Sequence, residues 1–94
     1  MKNPALPASL TIVCTAASDA AAGKLIEAAK AHVGEQKLSQ NGLLTKQVGK
    51  RCYINLRPAG EWEPVAGHLT EWLKQQGGDE FRYQLESGEG ITAN

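Results

Sequence analysis

The order in which the hydrophobic pattern changes along this chain of 94 residues restricts its fold more than any other feature. In some segments apolar residues alternate with polar ones, and in others they recur every three or four positions. Alternation is typical of half-buried strands and the longer spacing of amphipathic helices, so the predicted order is β-α-β-β-α-β. The six segments cover, in that order, residues 9–16, 19–33, 43–48, 51–57, 64–76 and 81–86.

This element order resembles the ferredoxin-like arrangement, an α+β sandwich in which two helices cover one face of an antiparallel sheet. We therefore expect a single small domain over residues 9–86, with a flexible N-terminal arm in residues 1–8 and a flexible tail in residues 87–94. The first and third strands of such a sheet are central neighbours, which would bring Cys14 and Cys52 close together under the helices. The resemblance is one of element order alone, and it implies no function because this fold hosts many.

Local signals predict the ends of these elements. Ser18-Asp19 offers an N-cap for the first helix, and Gly34 is expected to end that helix in the left-handed conformation that glycine adopts most easily. Asn41-Gly42 is a strong two-residue turn signal, preceded at residues 38–40 by either a short strand or a loop. Gly49-Lys50 can close a hairpin between the two middle strands.

Composition, hydropathy and cysteine content limit the class of protein. The chain is 41% apolar and 21% charged, as is ordinary for globular proteins. No window approaches the roughly 18 apolar residues of a membrane span. The apolar run at residues 10–17 is interrupted by Thr11 and Thr15, so we predict no secretion signal and expect a cytoplasmic protein. Cys14 and Cys52 have neither a metal-ligand spacing nor a disulfide pattern, and are expected to be buried thiols.

The sequence contains no motif that assigns a catalytic or cofactor site. It lacks a C-x-x-C pair, a glycine-rich phosphate loop and the paired aromatics of RNA-recognition sheets. His68 and Glu71 lie three residues apart on the second predicted helix, but two candidate ligands are weak grounds for a metal or an acid–base site. His32 suits the end of the first helix electrostatically. We therefore predict no catalytic residue, no metal site and no cofactor.

One charged segment remains as a candidate functional surface. Residues 36–60 contain five basic and no acidic residues, whereas residues 61–94 contain seven acidic and two basic ones, although the whole chain is neutral. Much of the positive charge falls on residues 46–57, KQVGKRCYINLR, a predicted β-hairpin called here the basic hairpin. The candidate partner-binding residues are Lys46, Lys50, Arg51, Tyr53, Arg57 and, before the second helix, Trp62.

Several functions fit this pattern. We expect first a small non-catalytic interaction or regulatory module, of the kind found among accessory proteins of phages and mobile elements. It would bind an acidic protein partner, or a second copy of itself, through the open sheet face and the basic hairpin. The alternative is weak nucleic-acid binding, with Tyr53 stacked on a base. A small enzyme built on His68 and Glu71, or on a cysteine, is third. An ordinary solvated hairpin would explain the same charges, and Trp62 could instead pack on its own helix.

Overall fold

The computed structural model describes residues 9–86 as four strands and two helices in the predicted order. The strands form one antiparallel sheet in the order β2-β3-β1-β4, which confirms the ferredoxin-like α+β prediction and places the first and third strands at the centre. The predicted arm and tail lie outside the described residues. The elements are β1 (Ser9–Thr15), α1 (Asp19–Gln36), β2 (Ser39–Val48), β3 (Arg51–Pro58), α2 (Trp62–Gln75) and β4 (Asp79–Glu86).

The core lies between the sheet and the two helices. Alternate residues of β1 and β3 point toward the helices and are buried, and each helix adds an apolar stripe. Ile12, Ile54 and Leu69 are wholly inaccessible to solvent, and burying a side chain of this size stabilises the fold by about 1.5–3 kcal/mol. A slip of one residue would turn each strand's apolar side chains to the wrong face. The core therefore also decides which residues of β1 and β3 face away from the helices.

The start of α1 is confirmed and its predicted end is wrong. The side chain of Ser18 accepts a hydrogen bond from the backbone N–H of Ala21 at 3.0 Å, so it is the N-cap. Gly34 does not end the helix, because α1 continues for two more residues to Gln36. The left-handed residue is instead Lys37, with a φ of 53°.

Hydrogen bonds from Lys37 and Leu38 explain why the left-handed residue that follows α1 is a lysine. The N–H of Lys37 donates to the carbonyl of Gly34 at 3.3 Å, and the N–H of Leu38 donates to the carbonyl of Val33 at 3.1 Å. Leu38 also packs against the core that includes Val33. This pattern is a Schellman motif with its usual hydrophobic contact. Together these contacts outweigh the cost of left-handed backbone at a residue with a Cβ, roughly 1–2 kcal/mol.

The predicted turn at Asn41-Gly42 is also wrong, because β2 is assigned as one strand from Ser39 to Val48. The pairing of β2 with β3 shifts register between Ser39 and Leu43, and Gly42 has a φ of 102° within this irregularity. A bulge uses the conformational freedom of glycine just as a turn does, so the local signal did not distinguish the two. The turn at Gly49-Lys50 is confirmed.

Helix α2 lies close to its predicted position. Pro64 is in its first turn, where a missing N–H leaves no hydrogen bond unmade. The helix ends at Gln75, and the glycine pair that follows separates it from β4. Neither helix of the described residues is long and apolar enough to cross a membrane.

Candidate functional site

The side of the sheet that faces away from the helices, called here the open face, presents side chains from all four strands. Residues directly opposite each other in an antiparallel pair project to the same side, so the register assigns this face strand by strand. Its members are Leu44, Lys46 and Val48 of β2; Arg51, Tyr53, Asn55 and Arg57 of β3; Ser9, Thr11, Val13 and Thr15 of β1; and Glu80, Arg82, Gln84 and Glu86 of β4.

A row of four side chains crosses the middle of the open face and is called here the central row. Lys46 lies opposite Tyr53, Tyr53 opposite Val13, and Val13 opposite Arg82. Tyr53 and Val13 are half-buried, whereas Lys46 and Arg82 on the two edge strands are exposed. The row therefore has an apolar centre with a cation at each end. Such a centre can lose water on contact with a partner while the cations select its charge.

Two exposed apolar residues extend the central row along β2. Leu44 and Val48 are 72% and 53% exposed and lie on either side of Lys46. Residues two apart on a strand share a face, so all three project from the open side. Leu44 lies opposite Asn55, and Val48 lies opposite Arg51. Leu44 and Val48 thus add exposed apolar surface to the open face on both sides of Lys46.

The end of the open face nearest the hairpin turn has polar side chains on β1, β3 and β4, beside the exposed Val48 of β2. The adjacent Tyr53 hydroxyl, and to a smaller extent Glu80, raise the pKa of Arg51. Thr15 Oγ1 donates a hydrogen bond to Glu80 Oε1 at 3.3 Å. These residues and Arg82 line a shallow concavity of about 630 Å³. An anionic group there would meet two guanidinium groups and one carboxylate.

Hydrogen bonds between side chains connect two strands at the opposite end of the face. Asn55 Nδ2 donates hydrogen bonds to Ser9 Oγ and to Thr11 Oγ1, both at 2.8 Å. These bonds join β3 to β1 through side chains as well as backbone. A surface that is ordered before it binds loses less conformational entropy on binding.

The open face includes four of the six predicted contact residues: Lys46, Arg51, Tyr53 and Arg57. Lys50 is exposed in the hairpin turn at the edge of this face. Trp62 is not part of it, because it begins α2, is half-buried and packs against the core. The sequence analysis missed Arg82, Leu44 and Val48. For Arg82 the alternation within β4 was a usable signal, whereas Leu44 and Val48 depended on the register of β2.

The cations of the open face are not engaged in ion pairs with other described residues. Both ion pairs within residues 9–86 lie on helices, between Lys30 and Glu27 at 3.3 Å and between Lys74 and Glu71 at 3.8 Å. Exposed pairs of this kind stabilise a fold by about 0–1 kcal/mol. The part of the chain that the structure describes contains no ion pair on the open face.

The histidines and cysteines lie on the helix-covered side. His68 Nε2 is 2.8 Å from His32 Nε2, whereas Glu71 is paired with Lys74. Partial burial and the nearby His68 lower the pKa of His32. The charge of Glu35 acts in the opposite direction and raises this pKa. Among the described residues no cluster of three or more His, Cys, Asp or Glu side chains could hold a metal ion.

Cys14 and Cys52 are direct partners on β1 and β3, and both are free and buried. Burial, reinforced by the neighbouring Cys52, raises the pKa of Cys14 to about 12. Burial also raises the pKa of Cys52, whose Sγ lies 3.7 Å from the carbonyl oxygen of Ala22. Because the thiolate is the nucleophile, two thiols held in the neutral form are poor candidates for covalent catalysis.

Comparisons with protein-family models, with curated proteins and with solved structures find no match to this chain. The geometry and charge of the open face are therefore the basis for assigning a function.

Proposed function

We propose that this protein is a small non-catalytic interaction module that binds an acidic surface of another protein across its open face. The central row is the observation that supports this function, because it combines an apolar centre with a cation at each edge. Tyr53 and Val13 would contact an apolar group of the partner. Lys46 and Arg82 would pair with carboxylates on either side of it. A cytoplasmic location, expected from the sequence, is part of the same proposal.

The distribution of charge favours an acidic partner. The open face has four cations and two carboxylates, with Lys50 at its edge. The exposed charged residues of α2 are two acidic residues, Glu63 and Glu71, and one basic residue, Lys74. An acidic partner would therefore be attracted more strongly to the sheet than to α2. Complementary charge of this kind raises the association rate and favours one docking orientation.

The same charges make a second copy of the chain a weaker fit. In a two-fold symmetric dimer the same patch serves both subunits, so one central row would face the other. Lys46 and Arg82 of one copy would then approach cations of the other unless the two sheets were offset. Sedimentation velocity at increasing protein concentration tests this alternative. A concentration-dependent dimer that Tyr53→Ala abolishes would favour self-association over an acidic partner.

Nucleic acid is the second candidate, because Tyr53 lies between Lys46 and Arg82 in the central row. An aromatic ring among cations can stack on a base while the cations contact phosphates. Two features weaken this candidate: the face has one aromatic side chain, and Glu80 and Glu86 would repel phosphates. Oligonucleotide binding should fall steeply with salt, because neutralised phosphates release counterions. Anisotropy of labelled single- and double-stranded oligonucleotides at low and near-physiological salt tests it, and salt-sensitive binding would promote it.

The main proposal is tested with labelled peptides rich in Asp and Glu that contain a central Leu or Phe. We expect measurable binding by fluorescence anisotropy at low salt, and at least about a tenfold loss in the variant Lys46→Glu/Arg82→Glu, since like charges would replace two attractive pairs. The control Lys24→Glu/Lys30→Glu makes the same change of net charge on α1 and should bind nearly as well as the parent. Equal loss in both variants would mean that net charge, not the central row, determines binding. No binding by the parent at low salt would count against the proposal.

A further inference from the structure

Both histidines of this chain meet on the helix-covered side of the fold. His32 is on α1 and His68 is on α2, and their Nε2 atoms are 2.8 Å apart. The two rings are within 3° of parallel and their centroids are 5.0 Å apart. Because the nitrogens are much closer than the centroids, they lie between the two rings and face each other. One Nε2–H therefore donates a hydrogen bond to the other Nε2, which accepts it through its lone pair.

Trp72 holds one of these imidazoles in place. The His32 ring stacks on the Trp72 ring with a centroid separation of 4.4 Å and an angle of 8°. Trp72 is half-buried and packs against the core, and His32 is half-buried as well. His68 is exposed, so its ring has more freedom to turn. One imidazole is thus fixed by its surroundings and the other can adjust to a ligand between them.

We propose that His32 and His68 form an interhelical binding site for a divalent transition-metal ion such as Zn²⁺ or Ni²⁺. Imidazole nitrogen is a preferred ligand of Zn²⁺, Cu²⁺ and Ni²⁺. Two nitrogens that each bind one ion at about 2.0–2.1 Å lie no more than about 4.2 Å apart. The Nε2 atoms of His32 and His68 are already 2.8 Å apart without an ion. A modest rotation of His68 opens that gap and turns both lone pairs toward one ion.

Water completes the coordination of the bound ion. Within residues 9–86 no third His, Cys, Asp or Glu side chain joins the pair to make a larger ligand cluster. The site is consequently open, and its affinity is lower than that of a structural zinc site with four protein ligands. Mg²⁺ and Ca²⁺ prefer oxygen ligands, so they do not compete. The ion would link α1 to α2 and stabilise the folded state in proportion to its concentration.

Titration of the full chain without a histidine tag tests this site. Ni²⁺ bound by His32 lies close to the indole of Trp72, so saturable quenching of tryptophan fluorescence at neutral pH is expected. Zn²⁺ should give a single site by isothermal titration calorimetry, and Mg²⁺ should give no signal. The variant His68→Gln should weaken Zn²⁺ binding at least about tenfold, because the second imidazole acts as an intramolecular ligand with a high effective concentration.

Controls separate metal ligation from general effects on the fold. Lys74→Gln changes an exposed residue of the same helix and should leave Zn²⁺ affinity unchanged. Trp72→Phe should remove most of the Ni²⁺ quenching but keep the calorimetric Zn²⁺ signal. Circular dichroism of each variant confirms that it is folded, and His68→Gln is well suited because His68 is exposed. Unchanged Zn²⁺ affinity in folded His68→Gln, or no Zn²⁺ binding by the parent at millimolar concentration, would overturn the proposal.

Discussion

Lys37 is a residue in an unfavourable backbone conformation that its neighbours impose. It has a φ of 53° after the last turn of α1, where glycine is the usual residue. We expect Lys37→Gly to increase the free energy of unfolding by about 1 kcal/mol, because relief of left-handed strain exceeds the extra entropy of glycine in the unfolded chain. Equilibrium urea unfolding followed by circular dichroism measures the change.

Lys24→Gly is the matched control for this substitution. Lys24 is an exposed residue in the interior of the same helix, so the same exchange there should decrease the free energy of unfolding by about 1 kcal/mol. Opposite signs for the two variants would show that backbone conformation, not loss of a lysine, causes the effect. A decrease for both would contradict left-handed backbone at residue 37.

At the scale of elements, periodicity was enough to predict all six segments, but glycine was a poor guide to their ends. Leu10, Ile12 and Cys14 alternate with less buried residues because one face of β1 is buried, and this alternation is visible in the sequence itself. Gly34 and Gly42 gave the expected local signals, yet one lies inside a helix and the other within a strand. The competing contacts came from residues further along the chain. The capping hydrogen bonds of Lys37 and Leu38 place the end of α1 after Gln36, and pairing with β3 keeps Gly42 within β2.

Gly34 provides a direct test of where α1 ends. It is exposed inside the helix, and a Cβ added there would meet no atom within 4 Å. Gly34→Ala should increase the free energy of unfolding by about 0.5–1 kcal/mol, because alanine is the better helix former. Gly77→Ala is the contrasting variant: its φ of 101° is unfavourable for alanine, so a decrease of about 1 kcal/mol is expected. Denaturant unfolding of both compares the signs, and a loss of stability in Gly34→Ala would favour the shorter helix.

For the whole molecule, topology was predictable and the alignment of distant elements was not. The order of six elements was enough to place β1 beside β3, and thereby to predict the contact between Cys14 and Cys52. The position of Lys46 opposite Tyr53 depended on the register of β2, which an irregularity shifts. The approach of His32 to His68 depended on how two helices pack side by side. Residues 36 apart in sequence had no local pattern that links them.

The buried thiol pair connects one ionisation to the stability of the whole fold. Burial raises the pKa of Cys14 in the folded state to about 12, from an ordinary value of 9.0. A raised pKa means that the folded state holds the proton more tightly than the unfolded chain. The contribution of this thiol to stability is therefore complete below pH 9 and is lost as the pH rises toward 12.

We accordingly expect the folding constant to fall above pH 9, with Cys14 alone contributing up to about a tenfold loss per pH unit. Urea unfolding at several pH values from 7 to 10.5 measures this slope. Cys14→Ala should be less stable than the parent at neutral pH, because it removes a buried side chain, but its stability should fall less steeply with pH. Lysines and tyrosines also titrate in this range, and the comparison cancels their contribution since both proteins contain them. Parallel pH profiles for the parent and Cys14→Ala would mean that the thiol ionises as easily in the folded protein as in the unfolded chain.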